Sequence, residues 1–301
     1  MTKTQAKLAI ELSHALAGDE GVCGLKLRRS HRAAEKATFH VSLQAHTQKT
    51  MYQMFQAGAL YEHATSMLAI GALRPGDIAI DIGAHVGYFS LLFRLLVGHT
   101  GAVYAFEPMP DTYLRLVRNI MRNNFTNVVP LPLAVAERSG IAEFCINSNN
   151  EGGSTLLPII VNDERDRVQV QVTSLDNVFV TALPSRPRLL KIDAEGVEML
   201  ILKGGQQCFL SQAPDMVICE INRGALDAAG TSESEIRGHM ESLGYRSAVI
   251  IMREMDAKIN PHGASFYQYL QPEAEAAPGF PYVFNMMFVR KDSDLYPTPY
   301  L

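Results

Sequence analysis

Carboxylates stand in this 301-residue chain where a chemical site would need them. Asp81, Glu107, Asp193 and Glu220 each close a short apolar run that reads as a buried strand. In an open parallel sheet, ligands bind at those carboxyl ends. One strand-end acid alone is most simply a helix cap, but four on one rim describe an active site. The first lies in Asp81-Ile82-Gly83-Ala84-His85-Val86-Gly87, which follows Ile78-Ala79-Ile80 and leads into Tyr88-Phe89-Ser90-Leu91-Leu92-Phe93. This is strand, glycine turn, helix. Gly83 and Gly87 permit a sharp turn and close approach of a ligand, and the first amides of the helix point at it. Glu107 follows Asp81 by 26 positions (107 − 81), near the spacing that sets an acid on ribose hydroxyls. The pair predicts a nucleoside-containing ligand.

A second constellation combines Asp193, Glu220 and Asn222, two carboxylates and an amide oxygen on neighbouring strand ends. Oxygen ligands so arranged could hold Mg²⁺ and lower the pKa of a hydroxyl. Glu195 and Glu198 follow Asp193 at a spacing that would put them on one helix face.

The elements that must position these residues alternate. Apolar runs predict strands at residues 78–81, 101–107, 128–134, 188–193, 215–221, 245–252 and 282–289, with helical patterns between most of them. That alternation implies an α/β fold with helices on both faces of a largely parallel sheet, and the last two strands make a natural antiparallel edge pair. Residues 2–17 carry Leu8, Leu12, Ala15 and Leu16 at helical spacing, predicting a short amphipathic helix. Residues 22–29 and 38–44 read as a hairpin, the second alternating Phe39, Val41 and Leu43 with polar neighbours. The division expected is an N-terminal helix and hairpin extension at 1–47 (lid, acceptor pocket or dimer arm) and a main domain at 48–301 with loop insertions at 148–167 and 253–281. Phe266, Tyr267 and Tyr269 in the second loop could line an acceptor pocket or simply pack. Ser232-x-x-Glu235 is a capping box opening a late helix.

Composition narrows the partners. A 47% hydrophobic content supports a full core, and a net charge of −4 without a basic stripe argues against nucleic acid. Cys23, Cys145, Cys208 and Cys219 are scattered with no C-x-x-C pair, as expected of reduced thiols in a cytoplasmic protein. Charged residues interrupt every apolar run long before membrane-spanning length.

The order of motifs resembles the FkbM-type family of S-adenosylmethionine-dependent methyltransferases. The resemblance rests on the glycine turn, then Tyr104-Ala105-Phe106-Glu107-Pro108, then Lys191-Ile192-Asp193-Ala194-Glu195-Gly196-Val197-Glu198 and Leu202-Lys203-Gly204-Gly205. Tyr61-Glu62 resembles the family's usual approach to the first strand, and His85 stands where the family more often has Asn. The resemblance implies a Rossmann-like class I sheet of seven strands with an antiparallel edge, S-adenosylmethionine (SAM) as cofactor, and transfer usually to the oxygen of a small-molecule acceptor. It places the cofactor on Glu62, Asp81, Gly83, Ala84, His85, Gly87, Glu107, Pro108, Asn123, Ala134 and Asp193, with Asn123 and Ala134 beside the adenine. Asp193 is then the expected general base and Glu195 the next candidate. Two other readings use the same sheet: a cofactor-binding protein without transfer, or an NAD-dependent enzyme. Against a short-chain dehydrogenase, none of the 11 tyrosines has a lysine four residues later.

Overall fold

The computed structural model describes residues 8–29, 33–146, 154–156, 167–250, 267–268 and 283–295. Most of the loops expected at 148–167 and 253–281, with Phe266 and Tyr269, lies outside these residues. Three strands open the chain: β1 (Leu8–Ala17), β2 (Glu20–Arg29) and β3 (Glu35–Ser42), an antiparallel sheet in that order. The expected hairpin is there, with Cys23 opposite Phe39. The expected helix over 2–17 is not, because its described part is β1. Ile10 and Leu12 alternate onto the packed side opposite Leu27 and Leu25, while Leu16, which a helix would have buried, is 66% exposed. Pairing along all ten residues of β2 outweighs a helical spacing that also fits a strand.

Helices α1 (His46–Gln56) and α2 (His63–Ala72) lead into the main domain. There β4 (Ile78–Ile82), α3 (Tyr88–Val97), β5 (Ala102–Phe106), α4 (Pro110–Arg122) and β6 (Val128–Leu131) alternate. Pro132 then ends the ladder, since it has no N–H to donate. The expected single strand over 128–134 therefore becomes two, and β7 (Leu133–Val135) joins β8 (Gly140–Cys145) and β9 (Arg167–Thr173) in a small sheet ordered β7-β9-β8. Next come α5 (Leu175–Ala182), β10 (Leu189–Ile192), α6 (Glu198–Lys203), α7 (Gln206–Ser211), β11 (Met216–Asn222), α8 (Arg223–Ala228) and α9 (Glu233–Ser242). The Ser232/Glu235 capping box is formed at the start of α9. The chain closes the large sheet with β12 (Tyr245–Ile250), β13 (Tyr267–Gln268) and β14 (Val283–Arg290).

The large sheet runs β13-β12-β14-β11-β10-β4-β5-β6. Seven of these are full strands and β13 adds two residues at one edge, so the α/β class I arrangement with antiparallel β12 and β14 is as expected. Order reverses between β4 and β10, and this switch opens the crevice for the site.

Every residue of α3 is buried, because the large sheet covers one side and the N-terminal sheet the other. That is why its sequence is apolar all round. Its one long cation, Arg94, is matched by Glu35 of β3 at 2.8 Å and by the Phe125 ring at 4.4 Å. Phe39 of β3 packs edge-on against Phe55 and Tyr88 at 5.5 and 5.8 Å, so the extension shares the main core. Phe39→Ala should cost about 3–5 kcal/mol and lower one cooperative transition seen alike by circular dichroism and fluorescence. A separate early transition confined to the N-terminal sheet would contradict this.

Candidate active site

The glycine turn is built by hydrogen bonds to the neighbouring strand end. The amides of Gly83 and Ala84 both donate to the Phe106 carbonyl, at 3.0 and 2.9 Å. A Cβ at Gly83 would stand 1.9 Å from the Asp193 carbonyl, so only glycine lets the ends of β4 and β10 come this close. His85 takes φ +51°, in the left-handed region. Asn is favoured there, and His is also enriched, which gives the His-for-Asn departure a backbone reason.

Glu107 is the best-organised acid of the site. Its two carboxylate oxygens accept the amides of His85 and Met109, each at 2.9 Å. Each oxygen keeps a second lone pair for a hydroxyl. Burial lifts Glu107 above the usual carboxylate range, against the pull of His85 and these amides.

Asp81, by contrast, is recessed. It is fully buried beneath the turn, accepts the Ser90 hydroxyl at 2.6 Å and sits beside Lys191, away from the cavity wall. Gly87 is also off the wall. It caps α3 at φ +98°, where a Cβ would meet Leu116 at 2.7 Å.

At the end of β10 a single buried ammonium organises the carboxylates. Lys191 donates to Asp193 at 2.7 Å and lies 4.7 Å from the centre of the Phe89 ring. Burial opposes its charge, but Asp193, Glu62 and Asp81 around it hold it protonated well above the ordinary lysine range. Burial likewise opposes ionisation of Asp193, yet Lys191 and a hydrogen bond from Glu220 keep it below the usual range. Glu220 is pushed far up by burial and by the Asp193 charge, so it carries the shared proton.

Glu195 follows in a strained turn, at φ +52° before Gly196 at φ +103°. The helix expected to carry both Glu195 and Glu198 therefore begins only at Glu198, and the two do not share a face. Glu198 accepts the amides of Ala194 and Gly196 at 3.2 and 3.1 Å and braces this turn from behind. Glu195 accepts from the Asn222 amide at 3.0 Å, and burial with the nearby Asp193 charge raises it to about 7. Strain of roughly 1–3 kcal/mol at such a residue persists only where its surroundings enforce it.

These groups open on one cavity of about 630 Å³, within the roughly 300–1,000 Å³ usual for small-molecule sites. Among the expected residues, Glu62, Gly83, Ala84, His85, Glu107, Pro108, Ala134, Asp193, Glu195, Glu220 and Asn222 line it. Asn123 does not. It caps α4 and its side chain pairs with the backbone of Thr38, so it lies away from any adenine. The expected metal trio changes too. Asn222 spends its amide oxygen on the Ala225 amide as the cap of α8, and among the described residues the acids whose oxygens lie within 4.8 Å of one another are Asp193, Glu195 and Glu220. Sequence reasoning missed the apolar wall of Leu133, Val135, Phe144 and Leu156. Pro130 and Pro132 around Leu131 were the available signal that the strand divides there.

Because Lys191 compensates several buried acids, Lys191→Met should destabilise the protein by about 3–5 kcal/mol at pH 7 in urea unfolding. The loss should shrink toward pH 5, where the orphaned carboxyls take up protons. A pH-independent change below 1 kcal/mol would contradict this.

Parts of the chain are similar to known proteins. The family model described as "Methyltransferase FkbM domain" matches residues 81–247. The chain is 28% identical over 148 residues to the hexuronic acid methyltransferase AglP of Haloferax volcanii, covering 49% of this chain and 57% of that protein. It is 28% identical over 160 residues to the 31-O-demethyl-FK506 methyltransferase FkbM of Streptomyces tacrolimicus, covering 44% and 60%. The match thus spans about six-tenths of the length of these curated relatives. A SAM-dependent methyltransferase of Aquifex aeolicus superposes with a TM-score of 0.39 at 12% identity, over 75% of this chain and 88% of that one. A family match over more than half of the chain, running from the glycine turn through the strand ends that line the cavity, makes this protein a member of the FkbM methyltransferase family.

Proposed function

We propose that the protein is a SAM-dependent O-methyltransferase acting on a hydroxyl of a small natural product or saccharide. The observation that carries this is Glu107, held by two amides at a strand end beside the glycine turn and facing a cavity that the Asp193–Glu195–Glu220 cluster also lines. The donor set fits the cofactor. Glu107 offers acceptors for ribose hydroxyls, the turn from Gly83 to His85 can take the amino-acid portion, and Ala134 with Leu133, Phe144 and Leu156 gives an apolar slot for adenine. The carboxylates around Lys191 suit a ligand that carries positive charge. The relatives' names, one for a hexuronic acid and one for an oxygen of FK506, support oxygen-bearing acceptors.

When bound, SAM supplies a methyl group already activated on a sulfonium, so the protein's tasks are positioning and removal of a proton. Asp193, pinned by Lys191, is a fixed negative charge and a weak base. Glu195, raised to about 7, is matched to taking a hydroxyl proton at neutral pH. Its left-handed backbone and its bond from Asn222 aim it into the cavity. The proposal thus moves the base from Asp193 to Glu195. Lys191 supplies positive charge beside Asp193, the expected Mg²⁺ ligand, and turnover in EDTA is expected to be unchanged.

A panel of hydroxylated acceptors with methyl-labelled SAM tests this directly. Turnover should rise with pH through about 7 as Glu195 loses its proton, and Glu195→Gln should flatten that limb and lower kcat about 10²–10⁴-fold. An unchanged profile in Glu195→Gln would remove it as the base.

A further inference from the structure

The family match begins at Asp81 and leaves β1–β3 without a role. We infer that this sheet braces the cofactor turn and that Asn119 of α4 is the positioning residue through which it does so. The inference rests on the proposed use of the cavity for SAM.

The sheet order β1-β2-β3 leaves one edge of β3 without a strand partner, and α4 takes that place with two asparagines. Asn123 accepts the Thr38 amide at 2.7 Å and donates to the Thr38 carbonyl at 2.6 Å. One turn earlier, Asn119 accepts the His40 amide at 2.9 Å and donates to the His40 carbonyl at 3.2 Å. The spacings match. Four residues rise about 6 Å on a helix, and two residues rise about 6.6 Å on a strand. Two side-chain amides thus imitate a neighbouring strand.

Of the two, Asn119 is the one that reaches the glycine turn. Its amide nitrogen also donates to the carbonyl of Val86, at 2.8 Å, inside the glycine turn between His85 and Gly87. His85 is a non-glycine residue held in the left-handed region, so this turn needs outside support to keep its shape. Leu116, one turn before Ile120 on the same helix, packs beneath Gly87. Asn119 is fully buried, and Val86, Asn119 and His40 all lie off the cavity wall, so none touches the ligand. The path runs from the β3 edge to Asn119, to Val86, and on to the amide of His85 that orients Glu107. The N-terminal sheet is then a brace for cofactor binding rather than a lid over the acceptor.

The test is calorimetric titration of S-adenosylhomocysteine into the wild type, Asn119→Ala and Asn123→Ala, with the Tm of each recorded. Asn123→Ala breaks the β3 clamp but leaves the Val86 bond. Asn119→Ala should weaken binding about tenfold, the effect of one lost buried hydrogen bond, while Asn123→Ala stays within about twofold of wild type. Loss of Tm without loss of affinity in Asn119→Ala, or equal loss of affinity in both variants, would overturn the inference. Should Asn119→Ala not fold, hydrogen exchange on the wild type decides. Coupling is reciprocal, so added S-adenosylhomocysteine should slow exchange of the His40 amide, and no change there would overturn the inference. If the wild type itself does not bind the nucleoside, the cofactor reading falls and this inference falls with it.

Discussion

The buried ammonium of Lys191 is the interaction on which the site depends. Asp81, Glu62 and Asp193 all face it, and Glu220 reaches it through a proton shared with Asp193. Without a cation in their midst these acids could not be ionised together in so little water, and the folded state would carry a desolvation cost of several kcal/mol per charge. With it, the acids divide into roles. Asp193 stays charged, Glu220 stays protonated, and Glu62 and Glu195 are both brought to about 7. One lysine on a central strand thus converts a group of acids into a graded set, and grading of this kind is what the proposed function asks of one rim: to bind a cationic cofactor and to accept a proton.

The second constraint is backbone geometry at the meeting of β4 and β10. Gly83 admits the Asp193 carbonyl, His85 and Glu195 hold left-handed conformations, and each is kept in place by a buried partner. Glu107 fastens His85, Glu198 fastens the turn that carries Glu195, and Asn119 fastens Val86 between them. Strain is concentrated where the ligand is expected and is offset by packing behind it. The all-apolar α3 and the N-terminal sheet that covers it supply that backing.

Much of this was legible from residues alone, for definite reasons. Strands β4 and β10 are buried along their whole length and β5 and β11 over most of theirs, so they appear as apolar runs, and the acids that end them stand out against those runs. The glycine turn and the capping box of α9 are local chemistry and needed no tertiary knowledge. What escaped notice depended on contacts distant in sequence. Residues 8–17 satisfy helical and strand spacings alike, and only β2 decides between them. Asp81 appeared to line the site, yet Ser90 and Lys191 draw it beneath the turn. Asn123 and Asn222 looked like ligand groups, but backbone at Thr38 and Ala225 claims their side chains. Pro132 diverts the chain into a small sheet whose residues wall the cavity, and nothing in a four-residue apolar run announces which wall it will form.

In the proposed function the rim ending in Glu107 selects a sulfonium nucleoside. Its most direct test is calorimetric titration of SAM and of NAD into the wild type and into Glu107→Ala. Micromolar binding of SAM, no binding of NAD, and loss of SAM binding in Glu107→Ala are the expected results. Binding of NAD alone, or SAM affinity unchanged in Glu107→Ala, would contradict the reading of this cavity.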